Sequence, residues 1–351
     1  MKGVVSPSQP PAGGVGAAAL PFDDRAAFIA GPARSGTTLL TALLDGHPDL
    51  LVLPEETAYF PTVRTKYGGR PRREQFDYLT TGTLANVLFG GACKWGRRDY
   101  SGFPTAPLRE AFARQAFHPA HAGRDLLALL LAAYAETLGR PPDTVRRWVE
   151  KTPANRDHLP AIFGRFPHAR VLLTLRDPRA LLASQIQLEQ TRGLRRFSAF
   201  FVVRHWLRVA RLVLRHRERP DPARPLAVVE YGQLLADPAG TLRRVCRFLE
   251  VPYTPAVLVP TKAGRAWGGN SSGEARFEAI SREPEDRWRR RLTPSEIGWI
   301  EWHCRPQMEA LGYEPLHARR SLRHWAAPIR GETPREYLRS RFYSVTGGRG
   351  R

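Results

Sequence analysis

Short apolar runs closed by glycine or proline alternate along this chain with longer stretches of helical spacing. Residues 26–30 (AAFIA) form such a run and end at Gly31, the pattern of a buried strand entering a glycine turn. Residues 38–44 then carry helical spacing up to Gly46-His47-Pro48, and residues 50–53 form a second apolar run. Strand, turn, helix and strand in this order predict a βαβ unit and a parallel sheet. Residues 170–175 (RVLLTL) and 226–230 read as further strands. Each is followed by an Asp-Pro step, Asp177-Pro178 directly and Asp237-Pro238 a few residues on, which suits an N-cap and first helical position. The helices they open run towards Glu189 and Glu250. Residues 124–138 read as a helix that is apolar nearly all round, and residues 197–216 as a long helix with one apolar and one Arg face. Thr293-Pro294-Ser295-Glu296 has the form of a capping box, opening a helix that should end at Gly312. Between Thr57 and Ala122 the pattern is weak, and irregular structure with short helices is expected. Beyond about Leu316 the chain is Arg-rich and patternless, which predicts a surface tail. The fold class that follows is α/β: a P-loop-like central parallel β-sheet flanked by helices. The expected organisation is a flexible leader over residues 1–21, one domain over 22–317, and a basic tail over 318–351.

Composition narrows the class without choosing a function. Hydrophobic residues make up 42% of the chain, enough for a sizeable core. No apolar run reaches the roughly 20 residues of a membrane-spanning helix. The leader lacks the sustained apolar stretch of a signal peptide, so a cytoplasmic setting is the expectation. Cys93, Cys246 and Cys304 are widely spaced and form no CxxC pair, so they predict reduced thiols rather than a disulfide framework or zinc site. The ten histidines show no HxxxH or HExxH spacing, and no metal is expected. The net charge of +21 is carried mostly by Arg; the lysines are Lys2, Lys66, Lys94, Lys151 and Lys262. Nucleic acid, anionic lipid, an acidic acceptor or a polyanionic nucleotide would each supply counter-charge.

The sharpest local feature is Gly31-Pro32-Ala33-Arg34-Ser35-Gly36-Thr37-Thr38 between a strand and a helix. Glycines let backbone fold around an anion, and the helix start offers N–H groups and the positive end of its dipole. Thr37 and Thr38 add hydroxyl donors. The frame is that of a Walker A loop, but Thr37 stands where that motif needs Lys, and the loop cation is Arg34. That departure weighs against an ATPase or GTPase. Two alternatives stay open on residues alone. One is a P-loop-type kinase of a small molecule, which would need a loop Lys and an Asp for Mg²⁺. The other is a basic nucleic-acid-binding protein, although no recognised motif accompanies the charge.

Other candidates are weaker singly. Arg176 ends a strand and Ser184 lies eight residues on, so the two can converge on a phosphate; taken alone, the pair fits a salt-bridging Arg and a surface Ser better. Glu55 and Glu56 follow the second strand and include a candidate general base, or are two solvated acids. Lys151, in Glu150-Lys151-Thr152-Pro153, offers a compact ammonium that can approach a leaving oxygen, or is an exposed Lys. Tyr231 ends a strand and reads equally as a packed aromatic.

The segment PARSGTTLL resembles the 5′-phosphosulfate loop of sulfotransferases that use 3′-phosphoadenosine 5′-phosphosulfate (PAPS). The resemblance extends over roughly residues 22–315 and is loosest over 60–122. It implies a sulfotransferase-type fold and domain, PAPS as co-substrate, 3′,5′-ADP as product and no metal. By this resemblance Arg34, Ser35, Gly36, Thr37 and Thr38 cradle the 5′-phosphate, Arg34 also acts in catalysis by helping to neutralise the bridge to the sulfuryl group, and Arg176 with Ser184 holds the 3′-phosphate. Lys151 steadies charge on the bridging oxygen and sulfuryl group, Tyr231 lies near adenine, and Ser271 or Ser272, in WGGNSS, helps bind the transferring group or phosphate. Residues 37–57 are similar to the tyrosylprotein sulfotransferase branch, where the second Glu of the pair, here Glu56, is the base. This chain has one more residue between His-Pro and Glu-Glu, which leaves Glu55 as the second candidate. The cytosolic branch uses a His from a different segment, so that role is not carried to His47. The acceptor implied is a hydroxyl of a carbohydrate, lipid, small metabolite or peptidyl tyrosine. No specific nucleic-acid partner and no transmembrane segment are implied.

Overall fold

Five short strands form one parallel sheet, in the order β2-β3-β1-β4-β5: β1 (Ala26–Ala30), β2 (Leu50–Val52), β3 (Arg147–Lys151), β4 (Arg170–Leu175) and β5 (Leu226–Glu230). The computed structural model describes residues 22–91, 100–192, 199–267 and 283–338. Every residue of β1 is buried because the strand lies in the middle of the sheet with a core on each face, which is why its sequence is continuously apolar rather than alternating. Phe28 points into the larger core with Trp148, Phe60 and Phe166. Ala27 and Ile29 point into the other with Leu40, Leu43, Leu172 and Leu242. Edge-to-face contacts join Phe28 to Trp148 (5.4 Å, 80°) and Phe28 to Phe60 (5.7 Å, 77°), a favoured aromatic geometry.

The helices follow from this two-sided burial. On the smaller core lie α1 (Thr37–Asp45), α8 (Tyr231–Ala236) and α9 (Pro238–Leu249). The larger core takes α3 (Thr105–Phe117), α4 (Leu126–Thr137), α6 (Pro178–Arg192) and α7 (Ala199–Glu218), with α2 (Arg72–Thr81) and α5 (Leu159–Arg165) beside them. A two-strand antiparallel hairpin, β6 (Thr261–Lys262) and β7 (Arg265–Ala266), lies against the end of α1. The short helices α10 (Glu283–Asp286) and α11 (Trp288–Arg291) lead into α12 (Pro294–Leu311). The capping box forms as its sequence predicts: Thr293 Oγ1 accepts from the Glu296 N–H (3.2 Å) and Glu296 accepts from the Thr293 N–H (2.8 Å). The helix closes at Gly312, in the left-handed region with φ 87°.

Two expectations need amendment. The stretch 57–122 contains the full helices α2 and α3 besides shorter turns. Past Leu316 the described residues, which end at 338, are mostly exposed but packed on the domain at several points. Residues 322–325 form α13 (Leu322–Trp325), Ala327 and Ile329 are buried, and Arg330 is paired with the buried Glu296 at 2.8 Å.

All five strands run the same way, so their carboxyl ends meet on one edge. Open α/β sheets bind ligands at that edge, beside the point where strand order reverses. Here β1 is the reversal point: the chain leaves it for β2 and β3 on one side and reaches β4 and β5 on the other.

Candidate active site

The loop after β1 is held in a shape few sequences reach. Gly31 and Gly36 both have positive φ (155° and 92°). A Cβ on Gly31 would stand 2.1 Å from Thr174 Oγ1, and one on Gly36 would stand 2.3 Å from the Tyr231 ring. Arg34 itself adopts φ 70°, a conformation that costs a non-glycine residue free energy and is found where a loop is shaped for function. Ser35 Oγ bonds the Pro32 carbonyl (2.6 Å) and meets Thr174 Oγ1 (2.5 Å), fastening the loop to β4. Among the described residues no side chain caps α1 at Gly36. Its first-turn N–H groups are therefore available to an anion, with the helix dipole behind them.

Beside this loop, β3 delivers Lys151 and the loop after β2 delivers Glu56. Lys151 pairs with Ile29 in the β1–β3 register. Its Nζ lies 2.6 Å from Glu56 Oε1 and 3.4 Å from Thr38 Oγ1. The Lys151 side chain is 4% exposed and that of Glu56 is 25% exposed, so the ammonium is enclosed while the carboxylate keeps a face to solvent. Glu55 points the other way. It is buried and accepts from Lys262 Nζ (2.7 Å) and Tyr100 Oη (2.6 Å). One step along the backbone thus separates a carboxylate facing the phosphate loop from one clamped to the β6–β7 hairpin. Neither is a freely solvated surface acid, and Lys151 is not an exposed lysine.

The end of β4 supplies the second group of cations. Arg176 Nη1 donates to the Arg34 carbonyl (3.0 Å), its Nε to Glu285 Oε2 (3.0 Å), and its guanidinium lies 4.2 Å from the centre of the Tyr231 ring. Ser184, two turns into α6, accepts from Arg34 Nε (3.0 Å). Ser184 therefore meets the loop arginine, and the two anchors are joined through Arg34. Asp177 caps α6 by accepting from the Arg179 N–H (2.8 Å), so the strand–Arg–turn–helix order has the local cause its sequence suggests. Burial pushes the Glu285 carboxyl above its ordinary range, and the neighbouring Arg176 pulls it back. Burial likewise raises the Tyr231 phenol, against Arg176.

A sequence model described as the Sulfotransferase family matches residues 26–255. That span includes both anchors and both catalytic candidates. The chain belongs to the sulfotransferase family.

Named relatives within it include protein-tyrosine sulfotransferase 1 of Danio rerio, 28% identical over 298 residues, covering 82% of this chain and 72% of that protein. The protein-tyrosine sulfotransferase of Drosophila melanogaster is 23% identical over 299 residues, and the match covers 82% of this chain but only 51% of that protein. Among solved structures, the sulfotransferase domain of the Synechococcus PCC 7002 olefin synthase superposes with a TM-score of 0.54 at 21% identity, covering 82% of this chain and 94% of that one. The sulfotransferase domain from the curacin biosynthetic pathway gives 0.51 at 20%, covering 83% and 98%. The α/β sulfotransferase fold expected from sequence is the one observed.

Within this sulfotransferase, Arg34 to Thr38, Glu56, Lys151, Arg176, Ser184 and Tyr231 all gather at the carboxyl edge of the sheet. Ser271, Ser272 and Cys93 lie outside the described residues. Cys246 and Cys304 are buried free thiols. His47 is a structural group: its Nδ1 accepts from the Asp49 N–H (3.0 Å) and its Nε2 meets the Pro252 carbonyl (2.6 Å). Among the described residues no group of three or more His, Cys, Asp or Glu side chains could hold a metal ion, and no helix is long and apolar enough to cross a membrane.

Sequence reasoning missed four site residues. Arg156 Nη1 donates to the Gly31 carbonyl (2.9 Å), buttressing the phosphate loop from behind. Lys262 holds Glu55, Glu285 holds Arg176, and Glu150 is wholly buried beside Lys151. The rarity of lysine in this chain is a signal for Lys262. Arg156 and Glu285 carry no signal of their own in a chain so rich in charge.

Proposed function

We propose that this sulfotransferase moves a sulfuryl group from PAPS to an acceptor hydroxyl and releases 3′,5′-ADP. The carrying observation is the continuous chain Glu56–Lys151–Thr38, which links a carboxylate, a cation and the phosphate loop by polar contacts of 2.6 and 3.4 Å. The loop suits an anionic phosphosulfate: its helix start is uncapped, its glycines leave no room for a Cβ, and Arg34 stands within it. PAPS would supply the activated sulfuryl group, and its two phosphates suit the two anchors that Arg34 joins.

The chain's own residues then have distinct tasks. Glu56 accepts the proton of the acceptor hydroxyl as that oxygen bonds to sulfur. The bond from sulfur to the bridging phosphate oxygen breaks, and its electron pair stays on the phosphate. Lys151 and Arg34, with the first-turn N–H groups of α1, stabilise that charge where it develops. Arg176 and Ser184 hold the 3′-phosphate, and Tyr231 flanks the nucleotide.

For the acceptor we propose peptidyl tyrosine as the first class to test, on the likeness to protein-tyrosine sulfotransferases; carbohydrate, lipid and small-metabolite hydroxyls follow. Labelled PAPS incubated with tyrosyl peptides, phenols, sugars and lipid alcohols tests the reading. Transfer of label to at least one hydroxyl is expected, together with a rise in melting temperature on adding 3′,5′-ADP. Stabilisation by ATP–Mg²⁺ or by nucleic acid but not by 3′,5′-ADP, with no transfer to any acceptor, would overturn it.

A further inference from the structure

Glu150 is completely buried, and the mechanism above leaves it without a task. A carboxylate so placed is costly unless its oxygens are well supplied with donors. Burial pushes this carboxyl above its ordinary range, and its hydrogen bonds oppose that rise. The identity of the donors gives the arrangement its meaning. Oε1 accepts from the Thr57 N–H (3.2 Å), from Thr57 Oγ1 (2.8 Å) and from Thr152 Oγ1 (2.6 Å); Oε2 accepts from Asn155 Nδ2 (2.7 Å).

Two of these donors belong to the residue immediately after Glu56. The others belong to the segment immediately after Lys151. The network extends one step further on each side. Thr152 Oγ1 accepts from the Ala58 N–H (3.1 Å), and Thr57 Oγ1 accepts from the Tyr59 N–H (3.2 Å). Ala58 has φ 48°, a left-handed conformation that a non-glycine residue keeps only where its surroundings hold it. The backbone following Glu56 is thus drawn into a sharp turn by donors that all lead to one carboxylate. The same downstream segment reaches the phosphate loop: the Gly31 N–H donates to the Pro153 carbonyl (3.2 Å), and Arg156 bonds the carbonyls of both Gly31 and Pro153.

We propose that Glu150 is a positioning residue for the transfer reaction: its carboxylate ties the backbone of the Glu56 loop to the strand end that carries Lys151, and so fixes the base relative to the cation and the phosphate loop. The inference rests on the function proposed above. It deepens that reading by assigning a group that touches neither donor nor acceptor.

Glu150→Gln replaces one acceptor oxygen by an NH₂ group. If the amide nitrogen takes the place of Oε2, it faces the Asn155 amide. Asn155 Oδ1 is buried with no partner among the described residues, so a turn of that amide presents an acceptor and lets the variant fold. The lost element is the charge that grips Thr57 and Thr152. Displacement of a reacting group by about 1 Å costs on the order of 10²-fold. We therefore expect kcat of Glu150→Gln to fall about 10- to 100-fold, with Kd for 3′,5′-ADP within about twofold of the parent.

The experiment measures transfer from labelled PAPS to 4-nitrophenol and to a tyrosyl peptide, alongside calorimetric binding of 3′,5′-ADP. Thr57→Val, which deletes one grip, should lower kcat about 3- to 10-fold, and Thr57→Ser, which keeps the hydroxyl, should restore it. This second pair decides the matter if Glu150→Gln folds poorly. Wild-type kcat in folded Glu150→Gln overturns the assignment. So does a parallel loss of kcat and nucleotide affinity, or a Thr57→Ser variant no better than Thr57→Val. A wild-type protein that transfers to no acceptor removes the proposed function and this assignment together, whereas a normal wild type beside an indifferent variant removes the assignment alone.

Discussion

The two halves of the site are built on different plans. Around Lys151, each charged group is satisfied by another member of the site: Glu56 faces Lys151, and Lys151 faces Thr38 of the phosphate loop. Their backbones are neighbours through the β1–β3 and β2–β3 ladders. Around Arg176, the cation is instead satisfied by Glu285, a carboxylate 109 residues away in sequence. A carboxylate that pairs with the cation of its own reaction centre can serve the chemistry where it stands. One that pairs with an anion-binding arginine must be exchanged when the anion arrives. On the function proposed above, the first half serves bond-making and the second serves binding by replacement.

The largest expected effect breaks the first half. Glu56→Gln keeps shape and removes basicity, so kcat should drop about 10²–10⁴-fold while calorimetry finds 3′,5′-ADP affinity nearly unchanged. A variant that loses nucleotide affinity along with rate would move Glu56 out of the chemistry. Next in size is Arg176→Ala. A charge-assisted hydrogen bond contributes about 1.5–3 kcal/mol, so the preference of the parent for 3′,5′-ADP over 5′-AMP should be about ten- to a hundredfold and should largely vanish in the variant. The ratio of two affinities on one variant cancels any general loss of stability. Equal binding of both nucleotides by the parent would refute the second anchor.

Glu55 sharpens the contrast from inside the first half. It is buried and paired with Lys262, so its contribution is to stability rather than to rate. Glu55→Gln should lower unfolding free energy by about 1–3 kcal/mol, measured by urea titration, with a far smaller loss of kcat than Glu56→Gln. The reverse pattern would exchange the roles of the two acids.

The same contrast explains what sequence made legible. The phosphate loop and Glu56 follow strands whose sequences are apolar and bounded by glycine or proline, and parallel pairing brings such strand ends to one edge without further information. Strand β3 is harder to see, because RWVEK carries charges that are buried only by specific partners: Arg147 donates to the Leu249 carbonyl (2.6 Å) and Glu150 has its four donors. Helix α2, RREQFDYLTT, buries only Phe76, Leu79 and Thr80, too sparse a stripe to stand out. The packing of residues 322–330 against α12 rests on His324, Ala327, Ile329 and three hydrogen bonds from Arg330 to Glu296, none of which forms a period. Tertiary pairing of charges, as in Arg176–Glu285, has no local signature at all.

The smallest effect tests the replacement idea directly. Glu285 Oε2 lies 3.0 Å from Arg176 Nε, and burial raises the Glu285 carboxyl even with that arginine beside it. Its charge is therefore poorly solvated and depends on Arg176 for compensation. A bound 3′-phosphate offers Arg176 a stronger partner but leaves Glu285 to be rehydrated or moved, and that cost is subtracted from the affinity of every 3′-phosphorylated nucleotide. Glu285→Gln removes the charge and keeps the shape. The cost it relieves is comparable to one net hydrogen bond, about 0.5–1.5 kcal/mol, so 3′,5′-ADP should bind about two- to tenfold more tightly. Binding of 5′-AMP, which makes no demand on Arg176, should change little. Weaker binding of 3′,5′-ADP by Glu285→Gln would mean that Glu285 orients Arg176 for the phosphate rather than standing in its place, and the second half of the site would then be preorganised like the first.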